Sequence, residues 1–133
     1  MSPRFLADTH VLVRWLINPK RLSKQQKRVM ADAERRNEPI ALSSVSLLEI
    51  AVLAGDGVLD LKGRLEEFFQ DVQASSLFRI FPVTFEVATD LAYLKNLRDP
   101  FDRAIVSTAR VHRLRLITSD QRIVDSGLIP FVE

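Results

Sequence analysis

Short apolar runs of strand length alternate with helix-length segments along almost this entire sequence, and that alternation restricts its fold more than any other feature. Residues 4–7 (Arg-Phe-Leu-Ala) read as a strand closed by Asp8, and residues 9–17 as a helix stopped by Asn18-Pro19. Ser23 caps a polar helix that reaches about Arg36 and ends at Asn37, before Pro39. Ile40-Ala41-Leu42 is a short strand. Ser43 or Ser44 then caps an apolar helix that runs to Ala54 and stops at Gly55. Residues 55–63 carry three glycines and read as a loop, followed by a helix from Arg64 to about Ala74 and a strand over Phe78–Phe81. Thr84 caps a helix lasting until about Asn96. Asp99-Pro100 opens the next, with proline where its missing N–H costs nothing, and that helix ends near His112. Arg115–Thr118 is a strand. A helical turn from Gln121 to Ser126, Gly127 and the apolar stretch Leu128–Val132 complete the sequence. The pattern predicts an α/β sandwich with a mostly parallel sheet, in one compact unit over residues 1–133.

Composition excludes several classes. At 133 residues, 47% hydrophobic and 27% charged, the chain is ordinary for a water-facing domain with its own core. It has no cysteine, so disulfides and thiolate metal sites are ruled out. No apolar run is long enough to span a bilayer as a helix, and the opening Met1–Asp8 lacks a signal-peptide pattern; a cytoplasmic protein is expected. The net charge is +2. Basic residues crowd two segments, Lys20–Arg36 and Arg98–Arg115, which reads either as solvated helix faces or as a weak pointer to nucleic acid.

In a parallel α/β sheet, ligands bind beyond the carboxyl ends of the strands. Asp8 and Asp120 each follow an apolar run there, and each is also placed to cap the next helix. Glu49 is the only ionisable residue from Ile40 through Gly55, and its neighbours are Leu47, Leu48, Ile50, Ala51, Val52 and Leu53. A helix so apolar all round is expected to be buried. A lone carboxylate there costs several kcal/mol, on the order of its desolvation, unless a cation, an arginine or strong donors meet it. Asp99 and Asp102 stand at the start of a helix, in capping-box-like spacing that also suits the helix dipole. Asp8, Glu49, Asp102 and Asp120 thus lie on four separate elements. Clustered acids raise one another's pKa unless a cation neutralises them, and an all-oxygen site suits Mg²⁺ or Mn²⁺. Metal-assisted phosphodiester hydrolysis is the reaction class such a site performs.

Four segments resemble a known family. Leu6-Ala7-Asp8-Thr9-His10 is similar to the opening motif of PIN domains, in the branch of VapC-type toxins where Thr-His follows the aspartate. Ser46-Leu47-Leu48-Glu49-Ile50-Ala51 resembles the family's acidic helix. Asp99–Ala109 resembles its third motif, with Asp102 in the acidic position, and Leu116-Ile117-Thr118-Ser119-Asp120 its fourth. The motifs come in family order over essentially the whole chain. The resemblance implies a Rossmann-like three-layer sandwich and a Mg²⁺/Mn²⁺-dependent endoribonuclease with Asp8, Glu49, Asp102 and Asp120 as metal-site acids. It implies RNA as substrate, homodimers, and a small antitoxin that blocks the site, as in VapBC toxin–antitoxin pairs. Thr9 or Ser119 is a candidate hydrogen-bond partner of the site. His10 is expected to pack rather than ligate, and Trp15 to lie in the core or a dimer interface. Asp99 has no counterpart in the general pattern.

Three rivals are distinguishable. Phosphatases of the haloacid-dehalogenase type also place an aspartate after their first strand, but want a second two residues later, where this chain has His10. A PIN-fold nuclease of RNA processing shares the chemistry without the antitoxin. A non-catalytic RNA- or protein-binding module has no use for an isolated Glu49.

Overall fold

In the computed structural model, which describes residues 1–133, five strands form one wholly parallel sheet. The strands are β1 (Phe5–Ala7), β2 (Ile40–Ser43), β3 (Phe78–Phe81), β4 (Arg115–Ile117) and β5 (Phe131–Val132), in the order β3-β2-β1-β4-β5. The helices are α1 (Thr9–Ile17), α2 (Lys24–Arg35), α3 (Ser44–Gly55), α4 (Leu65–Ala74), α5 (Phe85–Leu91), α6 (Pro100–Val111) and α7 (Gln121–Ser126), with a 3-10 turn over Pro19–Arg21. No helix is long and apolar enough to cross a membrane.

Strand periodicity explains the layers. Successive side chains point to opposite faces. Ala7, Ile40, Leu42, Ile117 and Val132 join one buried cluster with Val11 and Leu12 of α1, Met30 of α2 and Phe68 and Val72 of α4. Leu6, Ala41 and Leu116 join the other, with Ile105, Val106 and Ala109 of α6 and Ile123 of α7. Both faces are therefore covered by helices, which is why the strands read as continuous apolar runs and not as alternating ones. Burying each such side chain contributes roughly 1.5–3 kcal/mol, so the two clusters are the main source of stability. Trp15 packs, partly buried, against the first cluster.

Three expectations need correction. The helix begun by Thr84 ends at Leu91, not near Asn96. Residues after it turn so that Leu94 and Leu97 enter the second cluster, and the Arg103 guanidinium holds the Leu97 carbonyl. Burial of two leucines there outweighs continued helix. Second, α3 is not buried all round: Ser46 and Ile50 face inward, while Leu48 is 56% and Val52 44% exposed. The helix packs along one side only, and its outer stripe is apolar without being core. Third, β2 extends through Ser43, which is the cap of α3, accepting from the Val45 N–H at 3.2 Å. Asn37 ends α2 with φ of 53°, a left-handed conformation that asparagine tolerates better than most residues.

Candidate active site

The chain runs from β1 outward through β2 to β3, then returns to place β4 on the other side of β1. The gap between β1 and β4 is the switch point where such sheets open a crevice at their carboxyl ends. Asp8 follows β1 and Asp120 follows β4 across that gap. There, a cavity of about 250 Å³ is lined by Asp8, Glu49, Asp99, Asp102 and Asp120. The four acids singled out from the sequence thus share one cavity with a fifth, Asp99. Arg14, Arg21 and Arg122 line it too. A larger cavity of about 900 Å³, near the start of β4, is lined by Arg110, Arg113 and Arg115 and contains only two acids, Glu86 and Asp90.

Each acid is positioned by local geometry. Asp8 is buried at the N-cap of α1; its Oδ1 accepts the Thr9 N–H at 2.8 Å. Its Oδ2 accepts the Thr118 hydroxyl at 2.7 Å, and Thr118 Oγ1 in turn accepts the Asp120 N–H at 3.0 Å. Thr118 therefore joins the two strand-end aspartates. Sequence reading missed it, although a threonine closing a strand two residues before an aspartate was visible. Of the candidates named instead, Thr9 donates its backbone N–H to Asp8, and its hydroxyl lies 2.8 Å from Ser46 Oγ in a hydrogen bond that either hydroxyl can donate. Ser119 bonds to neither aspartate: its N–H goes to His10 Nε2 at 2.9 Å, and its Oγ accepts from Gln26 Nε2 at 2.9 Å.

Gln26 was also missed. It is the fully buried N3 residue of a capping box, with its Oε1 on the Ser23 N–H at 3.1 Å and its amide reaching across to the loop after β4. His10 lies with Nδ1 3.6 Å from Asp8 Oδ2. Burial, the largest influence, lowers its pKa, while Asp8 pulls the other way. Burial prevails, because a nitrogen that accepts the Ser119 N–H must keep its lone pair. His10 is accordingly neutral, with its proton on Nδ1, facing Asp8.

The remaining acids repel each other. Asp102, 7% exposed in the first turn of α6, has its pKa pushed up to about 7, by burial first and then by Asp99, Asp8 and Asp120, with Arg122 opposing. Burial also raises Glu49, with Asp8, Asp99 and Asp120 adding to the rise and the Thr9 hydroxyl opposing it. Glu49 Oε1 is buried and has no hydrogen-bond partner. Asp120 goes the other way: hydrogen bonding from Arg122 holds it below the usual carboxylate range. Asp99 Oδ1 caps α6, accepting from the Phe101 N–H at 2.7 Å and the Asp102 N–H at 3.3 Å.

No three of these acids converge closely enough to hold an ion by themselves. The donor set is nonetheless all hard oxygen. Mg²⁺-like ions are commonly held through one or two carboxylates with water completing the shell. The repulsion that still raises Asp102 despite Arg122, and an orphaned Glu49 oxygen, are what such an ion relieves, so the residues fit it.

The fold and site define a class of wholly parallel, three-layer α/β domains with an acid-lined cavity at the switch point of the sheet. Residues 5–126 match the PIN domain family model. The chain belongs to the PIN domain family. It is 31% identical over 120 residues to Ribonuclease VapC22 of Mycobacterium tuberculosis, covering 89% of this chain and 88% of that protein. Its fold is similar to that of VapBC2 from Rickettsia felis, solved bound to a DNA fragment from its promoter (TM-score 0.70, 16% identity, 99% of this chain and 98% of that one). It is also similar to a toxin–antitoxin complex from Klebsiella pneumoniae (TM-score 0.66, 22% identity, 96% and 95%).

Proposed function

We propose that this chain is a divalent-metal-dependent endoribonuclease and the toxin half of a type II toxin–antitoxin pair. One observation carries the chemistry: five carboxylates share a small cavity in which Glu49 Oε1 is buried without a partner. In this reading Asp8, Glu49, Asp102 and Asp120 hold Mg²⁺ or Mn²⁺, directly or through water. When bound, the ion polarises a phosphate and lowers the pKa of a coordinated water.

The chain's own residues do the rest. Thr118 and the Thr9 N–H fix the Asp8 carboxylate in one orientation, so its remaining lone pairs face the cavity. Arg14 and Arg21, on the same wall, supply cations for an RNA backbone. His10 is a neutral packing residue and takes no proton at neutral pH. The relatives support RNA as substrate and a small VapB-like antitoxin as partner, and the family resemblance adds a second copy of the chain in a homodimer. A non-catalytic module is disfavoured, because burying mutually repelling acids is costly and a binding surface gains nothing from it.

The test is cleavage of total RNA with Mn²⁺ by wild type and by Asp8→Asn, with circular dichroism as a check on folding. Wild type should cleave and the folded variant should not. Equal cleavage by both removes the assignment.

A further inference from the structure

The cation that stands nearest to the acids is part of the chain. Arg122 lies two residues after Asp120 on α7, and its guanidinium folds back over the cap. Its Nε is 3.2 Å from Asp120 Oδ1 and its Nη2 is 2.9 Å from Asp120 Oδ2. The same Nη2 is 3.4 Å from Asp102 Oδ2. One nitrogen thus bridges two carboxylates, one in the first turn of α6 and one at the cap of α7, and occupies the gap between them.

Nothing else anchors this group. Its side chain is 71% exposed, and its guanidinium contacts carboxylates alone. Arg110 shows the contrast: it joins Asp90 and also donates to the Leu128 carbonyl at 2.8 Å, as a structural clamp does. A half-free guanidinium on a short helix moves at little cost, and exposed ion pairs of this kind are weak. A divalent ion carries twice the charge and binds at shorter range, so it wins the competition for both carboxylates.

We propose that Arg122 is a built-in counter-cation, which spans Asp102 and Asp120 while the site is empty of metal and yields that gap when a divalent ion enters. It is a positioning residue, acting through the two acids. The inference rests on the metal-site reading above.

Mn²⁺ affinity, measured by titration calorimetry without RNA, tests it on wild type, Arg122→Gln and Arg21→Gln. Arg21 lines the same cavity but joins none of its ion pairs, so its variant reports the general effect of removing one positive charge. Displacing two ion pairs whose arginine end is exposed has a modest cost, so Arg122→Gln should bind Mn²⁺ roughly three- to tenfold more tightly than wild type, clearly beyond the gain in Arg21→Gln. In EDTA at alkaline pH, Arg122→Gln should also melt below wild type, and Mn²⁺ should close that gap. Unchanged or weaker Mn²⁺ binding in Arg122→Gln, or an equal gain in Arg21→Gln, overturns the role of Arg122 alone. If neither wild type nor Arg122→Gln binds Mn²⁺, the metal site itself is refuted.

Discussion

Asp102 makes the metal-free protein lose stability as pH rises, and Asp102→Asn should abolish that loss. The carboxyl titrates near 3.8 when unperturbed and at about 7 in the fold. Its folded pKa is raised, so its stabilising contribution is complete below the unfolded value and lost as pH climbs through 7. Between the two values the native protein keeps a proton that the unfolded chain has released. About three pKa units at 1.36 kcal/mol each make ionisation cost the fold about 4 kcal/mol once pH exceeds 7. Asparagine imitates the protonated carboxyl and carries no such cost. In EDTA, then, Asp102→Asn should exceed wild type by about 4 kcal/mol near pH 8 but by only about 2 kcal/mol near pH 5. Thermal denaturation should show a gap on the order of 10 °C at the higher pH, narrowing at the lower. His10 works in the opposite sense below about pH 6.5, because a base with a lowered pKa gives up its proton on folding. That influence is common to both proteins and cancels in the difference. Mn²⁺ should stabilise wild type near pH 8 and have much less effect on the variant. A variant no more stable than wild type near pH 8, or a gap that does not widen with pH, refutes the electrostatic reasoning.

Other expectations follow from single contacts. Thr118→Val removes the hydroxyl that serves both Asp8 and Asp120; it should cost about 1–3 kcal/mol by chemical denaturation, and Thr118→Ser should recover most of it. Glu49→Gln should weaken Mn²⁺ binding in calorimetry without unfolding the protein, and collapse of the variant would show Glu49 to be structural. Ile105→Ala, at a fully buried position of α6, should lower stability by about 2–5 kcal/mol in urea titration. Leu48→Ala on the outer stripe of α3 should stay within about 0.5 kcal/mol of wild type in the same assay.

The alternation of elements and the strand-end aspartates were legible because both are local. Asp8 and Asp120 each follow an apolar run and cap the next helix, a relation that spans a few residues. Asp102 was visible as a first-turn acid for the same reason. What the sequence hid depends on contacts between distant segments. Leu94 and Leu97 continue a helical spacing on paper, and only the cluster around Ile105 decides that they turn inward. The apolar ring around Glu49 suggested full burial, yet α3 meets the core along one side, which no periodicity in an all-apolar helix can reveal. Gln26 carried no signal in the sequence, since its partner across the fold, Ser119, lies 93 residues away. Arg122 lies outside the two basic segments of the sequence, and only its neighbours across the cavity mark it.

The link from Thr118 to Asp8 joins residues 110 apart, and β1 has β4 as one of its two sheet neighbours. An amino-terminal fragment ending before residue 115 therefore has β1 with an open edge and Asp8 without its orienting hydroxyl. The chemistry proposed for this cavity thus waits for the segment around β4: during synthesis the acids can meet only once the chain has been made through Asp120.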